Sequence, residues 1–343
     1  MEKEQLLQLI EQGGLPGRIL PYRIVETHIS LVLLTPDYAF KFKKEVNLGF
    51  LDFSSLEKRH YYCIEELRLN QRLATGMYLK VVPVLQFNGR LYLGEGMEGE
   101  VIDYAVQMKR MDESYQLDEL IKQDAVSVDD LHLLAIQLAT FHLANRIQPS
   151  MHYQSADTKA DFNDLFRFQG LVSACLGDGA GVQLQQIGER LSAFFERFGP
   201  RLEARVSEGF WVEGHGDLHT RNIFLLPGMP VVFDCIEFSL HFRQLDVLSE
   251  LAFLCMDLDF QDRKDLGELF LRAYQSHWAV LPTPEDEVLF RFFKAYRANV
   301  RLKVILLQWD STGREESLRE VAQRYFQLMM EEMPDPADAV GCG

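Results

Sequence analysis

The segment His215-Gly-Asp217-Leu-His-Thr-Arg-Asn222, followed by an apolar stretch from Ile223 to Phe233 and then Asp234, constrains this chain more than any other feature. Asp217 and Asn222 stand five apart, the spacing at which a phosphoryl-transfer loop sets a base Asp ahead of a metal-ligating Asn. Asp234 falls where a second metal-binding carboxylate would follow a short strand pair. The three side chains converge only if the residues between them form a hairpin. IFLL and VVF read as its strands, joined by the breaker-rich turn Pro227-Gly-Met-Pro230. Asp217 is suited to take the proton of an attacking hydroxyl, and Asn222 and Asp234 offer the hard oxygens that Mg²⁺ takes. Gly216 allows a tight turn, and His215 is expected to brace the loop through its imidazole. His219 has no necessary role in this chemistry. Taken singly, such residues make turn and capping hydrogen bonds; their ordered set carries the expectation.

The chain is long enough, at 343 residues with 47% hydrophobic content, for a large core in two packed lobes. A formal net charge of −16 disfavours sequence-independent nucleic-acid binding and an anionic membrane surface. The five cysteines, at 63, 175, 235, 255 and 342, are scattered without CxxC spacing, which indicates neither a disulfide framework nor a cysteine zinc site. Cys63, Cys235 and Cys255 read as small core fillers. The N-terminal MEKEQLLQLIEQ is charged and amphipathic, and no stretch approaches a membrane span. A cytoplasmic location follows.

Tyr22 to Val46 alternates and is rich in β-branched and aromatic residues, a strand meander turning at Pro36-Asp37. Leu56 to Leu73 has helical spacing, with Ser54 or Ser55 as its cap. LKVVPVLQF, RLYLGE and IDYAVQMKRM are three more strands, the first two separated by the hairpin pair Asn88-Gly89. From Leu117 the pattern turns helical, with runs at Val128 to Arg146, Leu184 to Phe198, Asp246 to Leu258, Arg263 to Trp278 and Glu285 to Trp309. This is an α+β arrangement, with a strand-rich nucleotide-binding lobe over 1–112, a helical lobe over 113–335 and a loose tail over 336–343. The first lobe also has candidates for a phosphate-binding lysine and a helix glutamate to hold it. In Tyr38-Ala39-Phe40-Lys41, Ala39 and Lys41 share a strand face with Lys43, so Ala39 makes room for a nucleotide and Lys41, or else Lys43, points at its phosphates. Lys43 is expected nearer the lobe's outer end. Glu66, or else Glu65, is the ion-pair partner on the following helix.

With HGDLHTRN and YAFK in place, the chain resembles the aminoglycoside phosphotransferase-like branch of the protein-kinase-like superfamily, which includes choline and homoserine kinases. The segments ETHISLVLLTPDYAFKFKK, LGFLDFSSLEKR, VVFDCIEFSLHFRQLDVLSELAFLCMDLDF and YRANVRLKV are similar to a bacterial subgroup often fused to a P-loop kinase domain. No GxxxxGK[ST] is present, so the chain reads as the stand-alone form. The resemblance spans Tyr22 to Leu306. It implies a two-lobed kinase-like fold and an ATP- (or GTP-) and Mg²⁺-dependent kinase acting on a small-molecule hydroxyl. Asp217 would be the base, Asn222 and Asp234 the metal ligands, and Lys41 with Glu66 the phosphate-binding pair. Met108, Lys109 and Met111 would lie at the adenine hinge, and helices between Asp157 and Arg205 would help to shape the acceptor pocket.

The sequence also departs from that pattern. No GxGxxG lies between the first strands, so Thr27-His28-Ile29-Ser30 would have to cover the phosphates. Asp234 is followed by Cys235-Ile236-Glu237, with Glu237 a further metal or acceptor ligand. Asp246 is expected to anchor the catalytic loop by accepting backbone N–H bonds. Asp257, Asp259 and Asp262 suit a cationic acceptor, and Arg297, Arg301 and Lys303 an anionic one, so the acceptor's charge stays open. Two other functions compete. One is a nucleotide-binding pseudokinase, suggested by the missing glycine loop; the other is a metal-dependent hydrolase using His215, Asp217, His219 and Asp234.

Overall fold

The structure is a computed structural model and describes residues 1–17, 19–49, 51–96, 98–147 and 153–335. The expected loose tail and Cys342 lie outside the described residues. The chain opens with α1 (Lys3–Glu11), β1 (Arg23–Glu26), β2 (Ser30–Leu34), β3 (Tyr38–Lys43) and α2 (Leu56–Asn70). β4 (Tyr78–Phe87), β5 (Arg90–Leu93) and β6 (Glu100–Lys109) follow. Then come α3 (Leu117–Lys122), α4 (Val128–Ala144), α5 (Ser155–Asn163), α6 (Gln169–Leu176) and α7 (Asp178–Ser207). After β7 (Trp211–Glu213), the loop with Asp217 leads into the hairpin of β8 (Ile223–Leu226) and β9 (Met229–Val232). The last elements are α8 (Leu240–Arg243), β10 (Gln244–Asp246), α9 (Val247–Phe260), α10 (Lys264–Gln275), α11 (Pro284–Ser311) and α12 (Glu316–Glu332).

Contacts divide the chain into two units. The first is Met1–Glu119 together with Asn222–Phe242, and the second is Leu120–Arg221 with the chain from Arg243 onward.

The first unit is built on a six-stranded antiparallel sheet in the order β1-β2-β3-β6-β4-β5. Strand alternation gives it two apolar faces. On one, Leu31, Leu33, Phe40, Phe42, Val82 and Val84 pack with Leu6 and Leu9 of α1. On the other, Ala39, Val106, Met108 and Tyr78 pack with Cys63 of α2 and with Phe224 and Val231 of the β8–β9 hairpin. The β4–β5 connection is the tight turn that Asn88-Gly89 suggests, with φ of 50° and 75°, a left-handed pair that these residue types tolerate. Ser55 caps α2 by accepting the Lys58 amide.

The second unit is helical around α9, whose residues Val247 to Leu258 are all buried. It packs against α10, α11 and α12, and α10 packs on α4. Arg205 of α7 donates two bonds to Asp246, at 2.7 and 2.9 Å, and one to Asp286 of α11 at 2.8 Å. A fully buried guanidinium needs that satisfaction, and in return it ties three helices together. A two-stranded sheet of β7 and β10, which the helical pattern did not suggest, pairs Trp211 with Asp246. The cysteines at 63, 175, 235 and 255 are buried. Among the described residues no helix is long and apolar enough to cross a membrane.

Candidate active site

In the first unit, Lys41 projects from β3 onto the face where α2 packs. Its Nζ lies 2.8 Å from Glu66 Oε1 and 2.6 Å from Asp234 Oδ1. Glu65 pairs instead with Arg68 along α2, at 2.7 Å. Burial pushes the Glu66 carboxyl up, and the Lys41 and Lys43 ammoniums outweigh it and bring the carboxyl down to about 2. For Lys41 burial works in the other direction, and Asp234, Glu66 and Glu237 together hold the amine well above the usual lysine range.

Lys43 departs from its expected place near the lobe's outer end. It is buried, with Nζ 2.8 Å from Glu66 Oε2 and in contact with Glu237. The cause is the stretch after the hairpin. Asp234 N donates to Tyr78 Oη at 3.2 Å and Cys235 N to Asn70 Oδ1 at 2.9 Å, which brings Glu237 up to β3. Glu237, expected as a metal or acceptor ligand, neutralises Lys43, and burial pushes its carboxyl up.

Asn222 and Asp234 lie at the base of the hairpin, where Phe233 N donates to Asn222 O at 3.0 Å and Ile223 pairs with Val232. Asn222 is buried, while the Asp234 side chain is 43% exposed on a left-handed backbone with φ of 63°. An amide oxygen and a partly exposed carboxylate fit Mg²⁺, which takes one or two protein oxygens and completes its octahedron with phosphate and water.

Thr27 to Ser30 form a closed turn rather than an open cradle. Thr27 N donates to Ser30 O, the Ile29 and Ser30 amides donate to Thr27 Oγ1, and the buried Ser30 hydroxyl bonds to Thr27 Oγ1 at 2.9 Å. Those groups satisfy one another, as threonine turns do. Met108 is buried on β6 opposite Ala39, Lys109 is exposed at the strand's end, and Met111 packs against the α2-side core.

The second unit holds Asp217. Gly216 has φ of 86°, the left-handed turn for which glycine is suited. Asp217 N donates to His215 Nδ1 at 3.3 Å, so the His215 ring braces the loop as expected. The loop is anchored differently from the sequence reading. Asp246 caps α9 through the Leu248 amide and pairs with Arg205, whereas the His215 and Gly216 amides donate to Glu250, one turn further along α9. Asp257 accepts from Thr220 N at 2.9 Å and from its hydroxyl at 2.6 Å. Arg297 completes the frame by donating to Gly216 O at 3.2 Å and Ser249 O at 3.1 Å. Glu250 and Asp257 are seven apart, on one face of α9, and are the two acids in its fully buried run from Val247 to Leu258. Two acids in so apolar a run are the signal that reveals them, because buried carboxylates require donors. Gly214 belongs to the same device: a Cβ there would stand 2.9 Å from Glu250 Oε1.

His219, which the sequence reading gave no necessary role in phosphoryl transfer, places Nε2 3.4 Å from Asp217 Oδ2. Burial pushes the Asp217 carboxyl up, and its interactions with His219, then with Arg301 and His215, outweigh it and hold the group below the usual carboxylate range. The acidic cluster separates. Asp257 holds Thr220, Asp259 pairs with Lys294, and Asp262 pairs with Arg324 at 2.9 Å. Lys303 lies 3.3 Å from Asp164. Among the described residues no group of three or more His, Cys, Asp and Glu side chains is placed to hold a metal ion.

The profile of the phosphotransferase enzyme family matches residues 65–282, well over half of the chain. The chain belongs to that family. An uncharacterized protein of Mycobacterium tuberculosis is 33% identical over 304 residues, 87% of this chain, and the chain spans 57% of that relative's length. A choline kinase from Cryptosporidium parvum is 11% identical with a TM-score of 0.55, over 96% of this chain and 95% of the other. An aminoglycoside 2'-phosphotransferase in complex with GDP is 14% identical with a TM-score of 0.54, over 96% of each. At such identities the likeness is one of fold, and the fold is the α+β kinase-like one.

Proposed function

We propose that this protein is an ATP- (or GTP-) and Mg²⁺-dependent phosphotransferase acting on a hydroxyl group of a small molecule. The observation that carries this reading is Lys41 held between Glu66 and Asp234. A lysine oriented by a buried acid on one side and by a partly exposed acid on the other suits a phosphate-binding cation set beside a metal-binding carboxylate.

Each residue then has a task. Lys41 orients the nucleotide phosphates, and Glu66 limits the freedom of its long side chain. Asn222 and Asp234 would hold the metal, which when bound neutralises charge between the β- and γ-phosphates. Asp217, kept ionised, accepts the acceptor's hydroxyl proton as its oxygen bonds to the γ-phosphorus and the bond to the bridging oxygen breaks, releasing the nucleoside diphosphate. Glu250, Asp257 and Arg297 keep the loop in place by holding its amides and one carbonyl. Solved structures of this fold include a GDP complex and a choline kinase, and they supply the class of nucleotide and acceptor to try first.

The test is nucleotide consumption with Mg²⁺ against a library of hydroxyl-bearing metabolites, with Asp217→Asn as the blank. Turnover lost in that variant is expected. Tight nucleotide binding without turnover on any acceptor would favour a pseudokinase module.

A further inference from the structure

Two sets of charged side chains are candidates for selecting an acceptor, and their surroundings differ. The acidic set is satisfied internally: Asp257 by Thr220, Asp259 by Lys294 and Asp262 by Arg324. In the basic set, Arg297 is taken up by the Ser249 and Gly216 carbonyls and Lys303 by Asp164. Arg301 is different. It lies one turn beyond Arg297 on the same face of α11, and that face reaches the Gly216 carbonyl next to Asp217. Its Nε donates to the Tyr325 hydroxyl at 3.4 Å, and its guanidinium lies 5.8 Å from the centre of that ring. Tyr325 is itself fixed by stacking on Phe260, at 4.1 Å between ring centres. Among the described residues no carboxylate lies within ion-pair distance of Arg301, and its terminal nitrogens have no hydrogen-bond partner. The charges of Arg301 and Asp217 nevertheless act on each other.

A guanidinium held along its Nε edge, with its terminal N–H groups unclaimed on the helix face that reaches the loop of the candidate base, is arranged to bind a planar or tetrahedral oxyanion through two parallel bonds. We propose that Arg301 is the anion-binding residue of an acceptor subsite, and that the hydroxyl acceptor carries a carboxylate or a phosphate. This rests on the phosphotransferase reading above for the word acceptor; the anion site itself does not. The counter-charge completes what the fold leaves open, because a half-buried cation without a partner is costly.

The first measurement is calorimetric binding of inorganic phosphate to the full chain and to Arg301→Leu, Arg301→Lys and Tyr325→Phe. Arg301→Leu should weaken phosphate by about tenfold or more, and Arg301→Lys should recover part of it, since it keeps the charge and loses the fork. Thermal unfolding of each variant verifies that it is folded, and Tyr325→Phe, which leaves the guanidinium in place but looser, should show a smaller loss. No phosphate binding by the wild type, or equal binding by wild type and folded Arg301→Leu, overturns the proposal. The second measurement compares glycerate and glycerol 3-phosphate with glycerol and choline as acceptors. Turnover confined to the anionic pair, with KM about tenfold higher in Arg301→Leu and kcat little changed, supports it and shows which oxyanion is preferred. Turnover only with glycerol or choline overturns the subsite and leaves the phosphotransferase reading standing. A fall in kcat at unchanged KM would place Arg301 on the transferred phosphoryl group and also overturns it. Arg301-dependent phosphate binding with no turnover on any alcohol would support the anion site while sinking the phosphotransferase reading.

Discussion

Lys43 Nζ lies 2.8 Å from Glu66 Oε2, the carboxylate oxygen opposite the one that pairs with Lys41. One buried acid on α2 thus faces two cations on β3, and each cation has a second acid from the stretch after the hairpin: Asp234 for Lys41 and Glu237 for Lys43. The two lysines therefore differ in burial more than in chemistry, and their substitution should separate function from stability.

Lys43→Ala should destabilise the fold by roughly 3–5 kcal/mol, because it leaves Glu66 and Glu237 buried with less positive charge. Lys41, at 12% exposure, is nearer solvent, so Lys41→Ala should cost less stability and more turnover. Chemical denaturation of both variants beside their rates is the check. Equal loss of stability would mean that the pair acts as one unit.

Asp217→Asn should retain the fold and nucleotide binding and lower phosphoryl transfer by about 10²-fold or more, the range for removing a positioned base. Wild-type turnover in that variant would take Asp217 out of the mechanism.

Asp234→Ala should abolish turnover at ordinary Mg²⁺ and weaken metal-dependent nucleotide binding, since it removes a proposed ligand and a partner of Lys41. Titration of Mg²⁺ against nucleotide affinity reads this directly, and an unchanged titration would locate the metal elsewhere.

His219→Gln should shift the acid limb of the kcat/KM profile to higher pH. His219 makes the foremost of the interactions that hold the Asp217 carboxyl down, so its removal lets burial raise that carboxyl and the base is lost earlier on acidification. An unmoved acid limb would mean that His219 does not set the Asp217 carboxyl and has no necessary role in this chemistry.

Glu250 gives a prediction for acid stability. Burial pushes its carboxyl up, but His142, His215 and the His215 amide outweigh it and bring the group down to about 2. A depressed folded value stabilises the fold above the unfolded value near 4.3 and loses that stabilisation as pH falls toward about 2. On that basis the ionised form contributes about 3 kcal/mol at neutral pH. Glu250→Gln should therefore be clearly less stable than wild type at pH 7 and nearly level with it at pH 2. A constant difference across that range would assign the loss to hydrogen-bond geometry instead of charge.

Much of the scaffold was legible because local patterns decide it. Alternation marks β2 and β3, Asn88-Gly89 makes the β4–β5 turn, Ser55 caps α2, and Gly216 takes the left-handed turn ahead of Asp217. The motif also put Asn222 and Asp234 at the base of one hairpin, since strand pairing between β8 and β9 follows from chain proximity alone.

What the chain order alone did not reveal was the pairing of charges. Asp246 and Glu250 occupy successive turns at the start of α9, and either has the chemistry to accept loop amides; Arg205 claims the first, which leaves the loop to the second. Lys43 and Arg301 show the same principle with opposite outcomes, one buried between two acids and the other with no carboxylate at ion-pair distance among the described residues. Hydrophobic periodicity specifies which face of a strand or helix turns inward, so the sequence by itself determined the elements and the order of the motif. Which ion meets which depends on side chains many residues apart arriving at one place, and only tertiary packing decides that, because a charge is stabilised by its neighbours in space and not by its neighbours in the chain.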